Sequence, residues 1–312
     1  MTIDRVSTNS QSQFLLNQID RANSALAQTQ DQVTSGNVAD NYAGYGSQVS
    51  IMEAARSAGA RVTAYQAATT QASTQTDLQN TQIGSLADLA TQLRQTLTTA
   101  VANNDGTTLM TEVNSIFQSA SQVLNAQDAN GNYIYGGGND STPPFTATSL
   151  SDLATMPSVS DAFANGTQKT SVAVGDGQTV QIGQLASDMG TGLMSTLADI
   201  ANYVSSNGSL GNTLTGAQSD YLTSQIGTSA TVATNLNNVL AANGAAYNQL
   251  QDASDNQASL ATMYTGFVSD IQNVDMPTAI TQLNQNQVAL QAALQVTSQL
   301  QNVSLLNYLP AA

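Results

Sequence analysis

Apolar residues spaced three and four positions apart recur along most of this chain, and this spacing constrains the fold more than any other feature. One row starts at Ile51 and keeps its phase to Ala100, and a longer row runs from Leu222 to Ile271. Each row covers roughly 50 residues, or about 75 Å of α-helix at 1.5 Å per residue. Because the two rows have similar lengths, we expect them to pair as antiparallel helices.

Shorter rows of the same kind lie at both ends of the chain. The N-terminal row stops at Ser35-Gly36, a typical helix end, and the C-terminal row starts after Pro277, which a first helical turn tolerates. Few charged residues flank these stripes, which favours close packing on several sides because buried charges are costly. Two interpretations are open. The terminal helices pack on the long helices of their own chain, or they pair and then pack against neighbouring copies.

Between the long rows, from about Gln127 to Thr215, the period changes and strands are expected. Residues 129–132 predict a hairpin turn before a strand at 133–135, and residues 172–182 predict a second hairpin that turns at Gly175-Asp176-Gly177. A helix is expected over 193–204. The predicted fold is mainly α: a long antiparallel helical rod formed by the N- and C-terminal halves, with a small α+β outer domain inserted in the middle.

The same pattern predicts three parts that are nested along the chain. Residues 1–40 and 272–312 are expected to form terminal polymerisation helices. Residues 41–138 and 216–271 are expected to form the helical rod domain, and residues 139–215 the outer α+β domain.

Composition excludes several classes of function. The formal net charge is −15 with only six basic residues, so no nucleic-acid partner is expected, because such binders need clustered Lys and Arg. No stretch approaches 18 consecutive apolar residues, so no membrane insertion is expected. The first 20 residues lack the basic start and apolar block of a cleaved secretory signal, so an exported chain would need another route.

Catalytic and metal-binding residues are also scarce. His and Cys are absent, which excludes His- or Cys-ligated zinc sites and nucleophiles activated by histidine. The loop at 128–132 is superficially similar to a calcium loop, but its Gly is misplaced and no Glu closes it. We expect no cofactor, no metal site and no enzymatic activity, and we interpret as solvated turn residues the acids near the insert: Asp128, Asp140, Asp152, Asp161, Asp176 and Asp188.

Several short motifs resemble those of the flagellin family. The start Val6-Ser7-Thr8-Asn9-Ser10 is similar to the family's opening, and Val33 to Asp40 resembles its turn after the first helix, with Asn37 where a basic residue is usual. The motif at 131–137, GNYIYGG, followed by Pro144-Phe145, resembles the hook-associated relatives of flagellin, as does the ending SLLNYL at 304–309. The resemblance covers roughly 1–145 and 215–312.

The resemblance implies a structural subunit of the bacterial flagellum that self-assembles at the hook–filament junction through its paired terminal helices. It implies a secreted motility protein with coiled-coil packing, located on the flagellum and exported by the flagellar type III route without a cleaved signal peptide. The implied partners are further copies of the chain, other axial proteins (hook-associated protein and flagellin) and an export chaperone. Two alternatives stay open: a subunit of the filament itself, or a surface binding protein acting through the outer domain.

The residues expected to form the assembly interface are the apolar positions of the two terminal rows. In the N-terminal row these are Leu15, Ile19, Leu26 and Val33. In the C-terminal row and its extension they are Ile280, Leu283, Leu290, Leu294, Leu305, Leu306 and Leu309.

Overall fold

The structure, a computed structural model, describes residues 3–302 of the chain. Helices dominate the described part, and the sequence order of the α-helices is α1 Ile3–Ser35, α2 Val49–Asn103, α3 Leu109–Leu124, α4 Leu150–Thr155, α5 Ala186–Asn207, α6 Gly216–Gln272 and α7 Met276–Asn302. Two antiparallel strands, β1 Ser171–Gly175 and β2 Gln178–Gln181, pair between α4 and α5. Short 3-10 helices occupy Tyr42–Gln48 and Val159–Ala162.

The helix ends follow the local chemistry of the sequence. Helix α1 ends at Ser35 because Gly36 adopts a left-handed φ of 72°, which glycine reaches without steric cost, and its N–H closes the last turn on the Gln32 carbonyl. At the start of α7, the Thr278 hydroxyl donates to the carboxylate of Asp275, the residue just before the helix. Pro277 lies in the first turn, where its missing N–H removes no helical hydrogen bond.

The described chain divides into two compact units. One runs from Val62 to Ser259, and we call it the central unit. The other, the terminal unit, combines the residues up to Arg61 with those from Leu260 onward. The ranges of α2 and α6 cross these limits, so both helices contribute residues to both units.

The central unit contains a continuous apolar core. Helix α2 supplies Ile83, Leu86 and Leu93, and residues of α3, α5 and the first part of α6 close the cluster around them. Phe145 stacks edge-on against Phe117 of α3, with ring centroids 6.0 Å apart, and lies 5.1 Å from the ring of Phe163. This one cluster contains residues from both sides of the predicted limit at residue 139. The three-part division made from the sequence therefore stays a prediction.

The hairpin β1–β2 packs on the two long helices within the central unit. Val174, Val180 and Ile182 of the hairpin region form a small cluster with Ala72 of α2 and Leu250 of α6. The buried Gln257 of α6 donates to the Val174 carbonyl at 2.6 Å and to the Thr69 hydroxyl of α2 at 3.1 Å.

Further along the helices, Asn243 of α6 donates to the Thr76 carbonyl of α2 at 2.9 Å. Since Gln257 meets Thr69 while Asn243 meets Thr76, α2 and α6 run antiparallel in the central unit.

In the terminal unit, α1 packs against α7 along much of its length. Asn286 of α7 contacts Ala25 and Thr29 of α1, while Asn37 and Asn273 form a short antiparallel bridge just beyond the helix ends. Backbone hydrogen bonds from Val38 N to Gln272 O (2.8 Å) and from Val274 N to Gly36 O (2.9 Å) hold this bridge. Helices α1 and α7 are therefore an antiparallel pair.

The prediction of a mainly α chain, with long antiparallel helices from both halves and a small α+β part, is confirmed. The hairpin at 172–182 is also confirmed, with Asp176-Gly177 in its turn. The strand predicted at 133–135 is wrong. That segment makes only an isolated bridge between Gln127 and Tyr133, because Tyr135 turns into the core and its hydroxyl donates to Gln82.

Candidate assembly surface

The contact between α1 and α7 is a seam with heptad spacing. From α1 the seam residues are Leu15, Ile19, Ala22, Leu26, Thr29 and Val33, and from α7 they are Ala279, Leu283, Asn286, Leu290, Ala293 and Thr297. Successive positions lie four and three residues apart in both helices, which is the pattern of coiled-coil packing. Most of these side chains are only half-buried; Thr29 and Ala279 are the buried ones.

A second set of apolar side chains on the same two helices faces solvent. On α1, Phe14 is 61% exposed and Leu16 is 57% exposed. On α7, Val288 is 65% exposed, and Ile280, Leu294 and Val296 are about half exposed. Large apolar side chains in solvent on two adjoining helices are typical of a surface that another molecule covers.

The residues predicted for the assembly interface fall into three groups. Six of them lie half-buried in the seam: Leu15, Ile19, Leu26, Val33, Leu283 and Leu290. Two, Ile280 and Leu294, are exposed instead. The last three, Leu305, Leu306 and Leu309, lie outside the described residues. Their assignment as an interface stays a prediction in all three groups.

Phe14, Leu16, Val288 and Val296 are exposed apolar residues of these helices that were not predicted. They fall off the three-four row that the seam occupies, so the search for a single stripe passes over them. A usable signal was the uninterrupted run Phe14-Leu15-Leu16, because three consecutive residues on a helix point in directions about 100° apart and cannot all face one partner helix.

One of the two helices, α7, is free of charge. Helix α7 contains no Asp, Glu, Lys or Arg between Met276 and Asn302. Its outward polar residues are Gln, Asn, Ser and Thr. These uncharged side chains can be buried in an interface if each finds a hydrogen-bond partner there. Such a helix can be buried without the desolvation of an ionised group.

The acids near the insert have local structural partners. The Asp128 carboxylate accepts from the backbone N–H of Asn130 at 2.8 Å and of Asn132 at 2.9 Å, and these bonds, that of Asn132 foremost, lower the pKa of Asp128. Asp152 accepts from the Thr148 N–H at 2.9 Å, and Asp188 pairs with Lys169 at 2.8 Å. Among the described residues, no group of three acidic side chains is placed to hold a metal ion.

Two tyrosines of the central unit have raised pKa values for a structural reason. Burial raises the pKa of Tyr135 above the usual range of a phenol. Burial, with Asp199 and Tyr203 nearby, raises the pKa of Tyr221 to about 12. Tyr221 stacks face to face on Tyr203, with the ring centroids 3.7 Å apart, so the two rings pack against each other. None of the described helices is long and apolar enough to cross a membrane.

Comparison with known proteins identifies related sequence and fold. The sequence profile of the bacterial flagellin C-terminal helical region matches residues 222–309. No curated protein sequence matches the chain.

Two solved structures share its fold at low sequence identity. A chain described as a flagellar hook-associated protein from Vibrio parahaemolyticus has a TM-score of 0.58 and 16% identity over 72% of this chain and 97% of that one. FlgL of Bacillus cereus has a TM-score of 0.54 and 12% identity over 70% of this chain and 98% of its own. Residues 222–309 are therefore similar in sequence to the C-terminal helical region of bacterial flagellin, and the chain shares the fold of these two flagellar structures.

Proposed function

We propose that this chain is a structural subunit of the bacterial flagellum that self-assembles at the hook–filament junction, with assembly and not catalysis as its activity. The observation that carries the proposal is that the flagellin match, residues 222–309, includes the whole of α7, the uncharged helix that exposes apolar side chains. The fold shared with a hook-associated protein and with FlgL supports the junction over other positions on the flagellum.

The exposed side chains supply the driving force for assembly. Burial of the part that is still exposed in a side chain such as Phe14, Leu294 or Val288 contributes roughly 1–2 kcal/mol. In a polymer every copy is covered by neighbours on several sides, so a few such residues per subunit give a large total. The seam between α1 and α7 holds both helices in place and thereby fixes which side chains face outward.

The proposed partners are further copies of this chain and the neighbouring axial proteins, a hook-associated protein on one side and flagellin on the other. An export chaperone that covers the apolar helices before assembly and export by the flagellar type III route belong to the same proposal. The proposed location is the extracellular flagellum.

Microscopy of labelled copies tests the proposal. A small epitope in the exposed hairpin turn at Asp176-Gly177 is expected to label one band at the tip of the hook. Label along the whole filament would instead assign the chain to the filament. No label on flagella, with motility unchanged when the gene is deleted, would reject a flagellar role.

A matched control is the same epitope between Asn130 and Gly131, also in an exposed turn of the central unit. Because both positions are exposed turns of the central unit, both tagged chains are expected to give the same pattern. A difference between them would show that one of the tags itself disturbs assembly.

A further inference from the structure

Four Asn-Gly pairs occur in this chain, and they begin at Asn130, Asn165, Asn207 and Asn243. This dipeptide is chemically unstable, because the backbone nitrogen of the glycine can attack the side-chain carbonyl carbon of the asparagine. Glycine has no Cβ to hinder the attack. The bond from that carbon to the side-chain NH2 then breaks, ammonia leaves, and a five-membered succinimide ring remains. Water opens this ring at either carbonyl, which gives aspartate or isoaspartate.

Two requirements decide which pair reacts. The glycine N–H must lose its proton to become a nucleophile. A hydrogen bond from that N–H to an acceptor, or a negative charge beside it, therefore slows the reaction. The asparagine side chain must also be free to rotate toward the glycine nitrogen. The four pairs differ on both points.

The pairs at Asn243 and Asn165 are protected. Asn243 is 1% exposed, and Gly244 lies inside α6, where its N–H belongs to the helical hydrogen-bond ladder. After Asn165, the N–H of the following glycine donates to the Gly136 carbonyl at 2.8 Å, and both ends of the asparagine side chain are hydrogen-bonded to Ser187. Both pairs would have to unfold locally before they could react.

The pair at Asn130 is exposed but restrained by its turn. The Gly131 N–H donates to the Asp128 carbonyl at 3.1 Å, so the attacking nitrogen is occupied. The Asp128 carboxylate accepts from the Asn130 N–H at 2.8 Å. It therefore places a negative charge near the glycine nitrogen, which would itself have to become negative to react. Both features oppose the attack within this pair.

At Asn207 both restraints on the glycine are missing. Asn207 is the exposed last residue of α5, and Gly208 follows it with a left-handed φ of 88°. In the part of the chain that the structure describes, the Gly208 N–H has no hydrogen-bond acceptor. The sequence contains no charged residue between Asp199 and Asp220. One hydrogen bond, from the Asn207 side-chain amide to the Tyr203 carbonyl at 3.0 Å, holds the asparagine, but it lies exposed in a final helical turn, which opens readily.

Loss of that side-chain NH2 would release the end of α5. An aspartate at this position cannot donate to the Tyr203 carbonyl, and its negative charge lies at the C-terminal end of the helix, where the helix dipole disfavours it. The isoaspartate product in addition lengthens the main chain by one carbon. Because the Tyr203 ring stacks on Tyr221 of α6, the change reaches the contact between these two helices.

We propose that Asn207-Gly208 is a site of spontaneous deamidation, which adds one negative charge and loosens the last turn of α5 as the molecule ages. The reaction consumes one water molecule and releases one ammonia for each chain that is modified, and it needs no enzyme or cofactor. The proposal does not depend on the flagellar role.

Timed incubation of the full chain at mildly alkaline pH tests the site. Peptide mass spectrometry follows the replacement of NH2 by OH at each asparagine, and chromatography separates the aspartate and isoaspartate products. Deamidation at Asn207 is expected to be roughly fivefold faster than at Asn130, because the hydrogen bond that holds the Gly131 N–H must break first. Relative to Asn165 and Asn243 the expected ratio is at least about a hundredfold.

Asn212 is the internal control, since it is exposed in the loop that follows α5 but precedes Thr213, whose branched side chain hinders the attack. It is expected to stay unmodified. Deamidation at Asn130 as fast as at Asn207 would overturn the proposal. A rate at Asn207 no higher than at Asn212 would do the same.

Two variants separate the modification from its effect on α5. Asn207→Asp reproduces the aspartate product, and hydrogen exchange in the final turn of α5 is expected to be about threefold faster than in the parent or more. Asn207→Gln keeps a neutral amide but would have to form a six-membered ring to react. It is expected to stay unmodified at this position and to keep the exchange rates of the parent. Unchanged exchange in Asn207→Asp would overturn the claim that the modification loosens α5.

Discussion

The central unit and the terminal pair α1–α7 are built from similar side chains but bury them to different extents. In the central unit Ile83, Leu86, Leu93, Leu97 and their neighbours are 0% exposed. In the terminal pair the leucines of the seam are only half-buried, and Phe14 remains 61% exposed. Rows of leucine and alanine with the same spacing are therefore fully buried in one part of the chain and only half-buried in another.

This difference shows that apolar residues at helical spacing form a buried core only where further elements cover them. In the central unit α3, α5 and the hairpin cover the sides that two antiparallel helices leave open. In the terminal pair, large apolar side chains of both helices, among them Phe14 and Val288, stay exposed instead. We infer that the central unit is stabilised by its own contacts, while the terminal pair reaches full burial only against other molecules. Four predictions test this contrast.

The largest effect is expected from a charge on the outer face of the terminal pair. Leu294→Asp places a carboxylate at a half-exposed position, where the single chain tolerates it, but covering it in an assembly would cost several kcal/mol per copy. Polymer formation is expected to be abolished, as seen by electron microscopy and a motility assay, with the melting of the purified chain almost unchanged.

Gln95→Asp is the control, since it adds the same charge to an exposed position of α2 in the central unit. Normal flagella are expected from this variant. Normal flagella from Leu294→Asp as well would show that α7 is not an assembly surface.

A large effect on stability is expected from truncating the central core. Leu197→Ala opens a cavity at a position with 0% exposure, and the free energy of unfolding is expected to fall by about 2–5 kcal/mol. Leu290→Ala removes the same atoms from the half-buried seam and is expected to cost less than half as much. Urea unfolding of both variants measures the two losses, and equal losses would show that the terminal pair is as well packed as the core.

Hydrogen exchange is expected to separate the two regions without any mutation. In the isolated chain, amides of residues 10–35 and 276–299 are expected to exchange at least tenfold faster than those of α5, because few buried contacts oppose their opening. Mass spectrometry of peptides measures the rates. Protection of both terminal helices equal to that of α5 would contradict the inference that they depend on other molecules.

The smallest expected effect concerns pH and a turn of the central unit. Hydrogen bonds from its own loop lower the pKa of Asp128 below the unfolded value, so its stabilising contribution is present near neutral pH. That contribution is lost as the pH falls below about 4, through the lowered pKa. Titration by NMR is expected to show a pKa for Asp128 below that of an unstructured Asp, and Asp128→Asn is expected to remove the pH-dependent change of the Asn132 amide signal.

Much of the fold could be predicted from local pattern. The three-four spacing identified α2 and α6 to within about two turns at each end, since long periodic rows give a strong signal. The hairpin was predicted because Gly175-Asp176-Gly177 separates two runs that contain valines. Helix α4 was missed because its six residues are too short to show a period, although Ser149 caps it through the Asp152 N–H.

The candidate site was less predictable, for a physical reason. Leu290 and Leu294 both fit the apolar row of α7, yet Leu290 is half-buried against α1 while Leu294 is half exposed. Which one enters the seam depends on the position of α1, more than 250 residues away in sequence, as the pairing of Asn286 with Ala25 illustrates. Spacing predicts which residues of one helix form an apolar stripe. Which residues of that stripe are buried depends on where the partner helix packs.

The uncharged composition of α7 also bears on the surroundings in which its contacts can form. Dissolved salt weakens attractions between charges on surfaces, with a screening length of about 8 Å at physiological ionic strength and about 3 Å at 1 M. Contacts made by Met276–Asn302 offer nothing for those ions to screen. Rising ionic strength should therefore not weaken these contacts, while it does screen the repulsion between chains that each carry a net charge of −15.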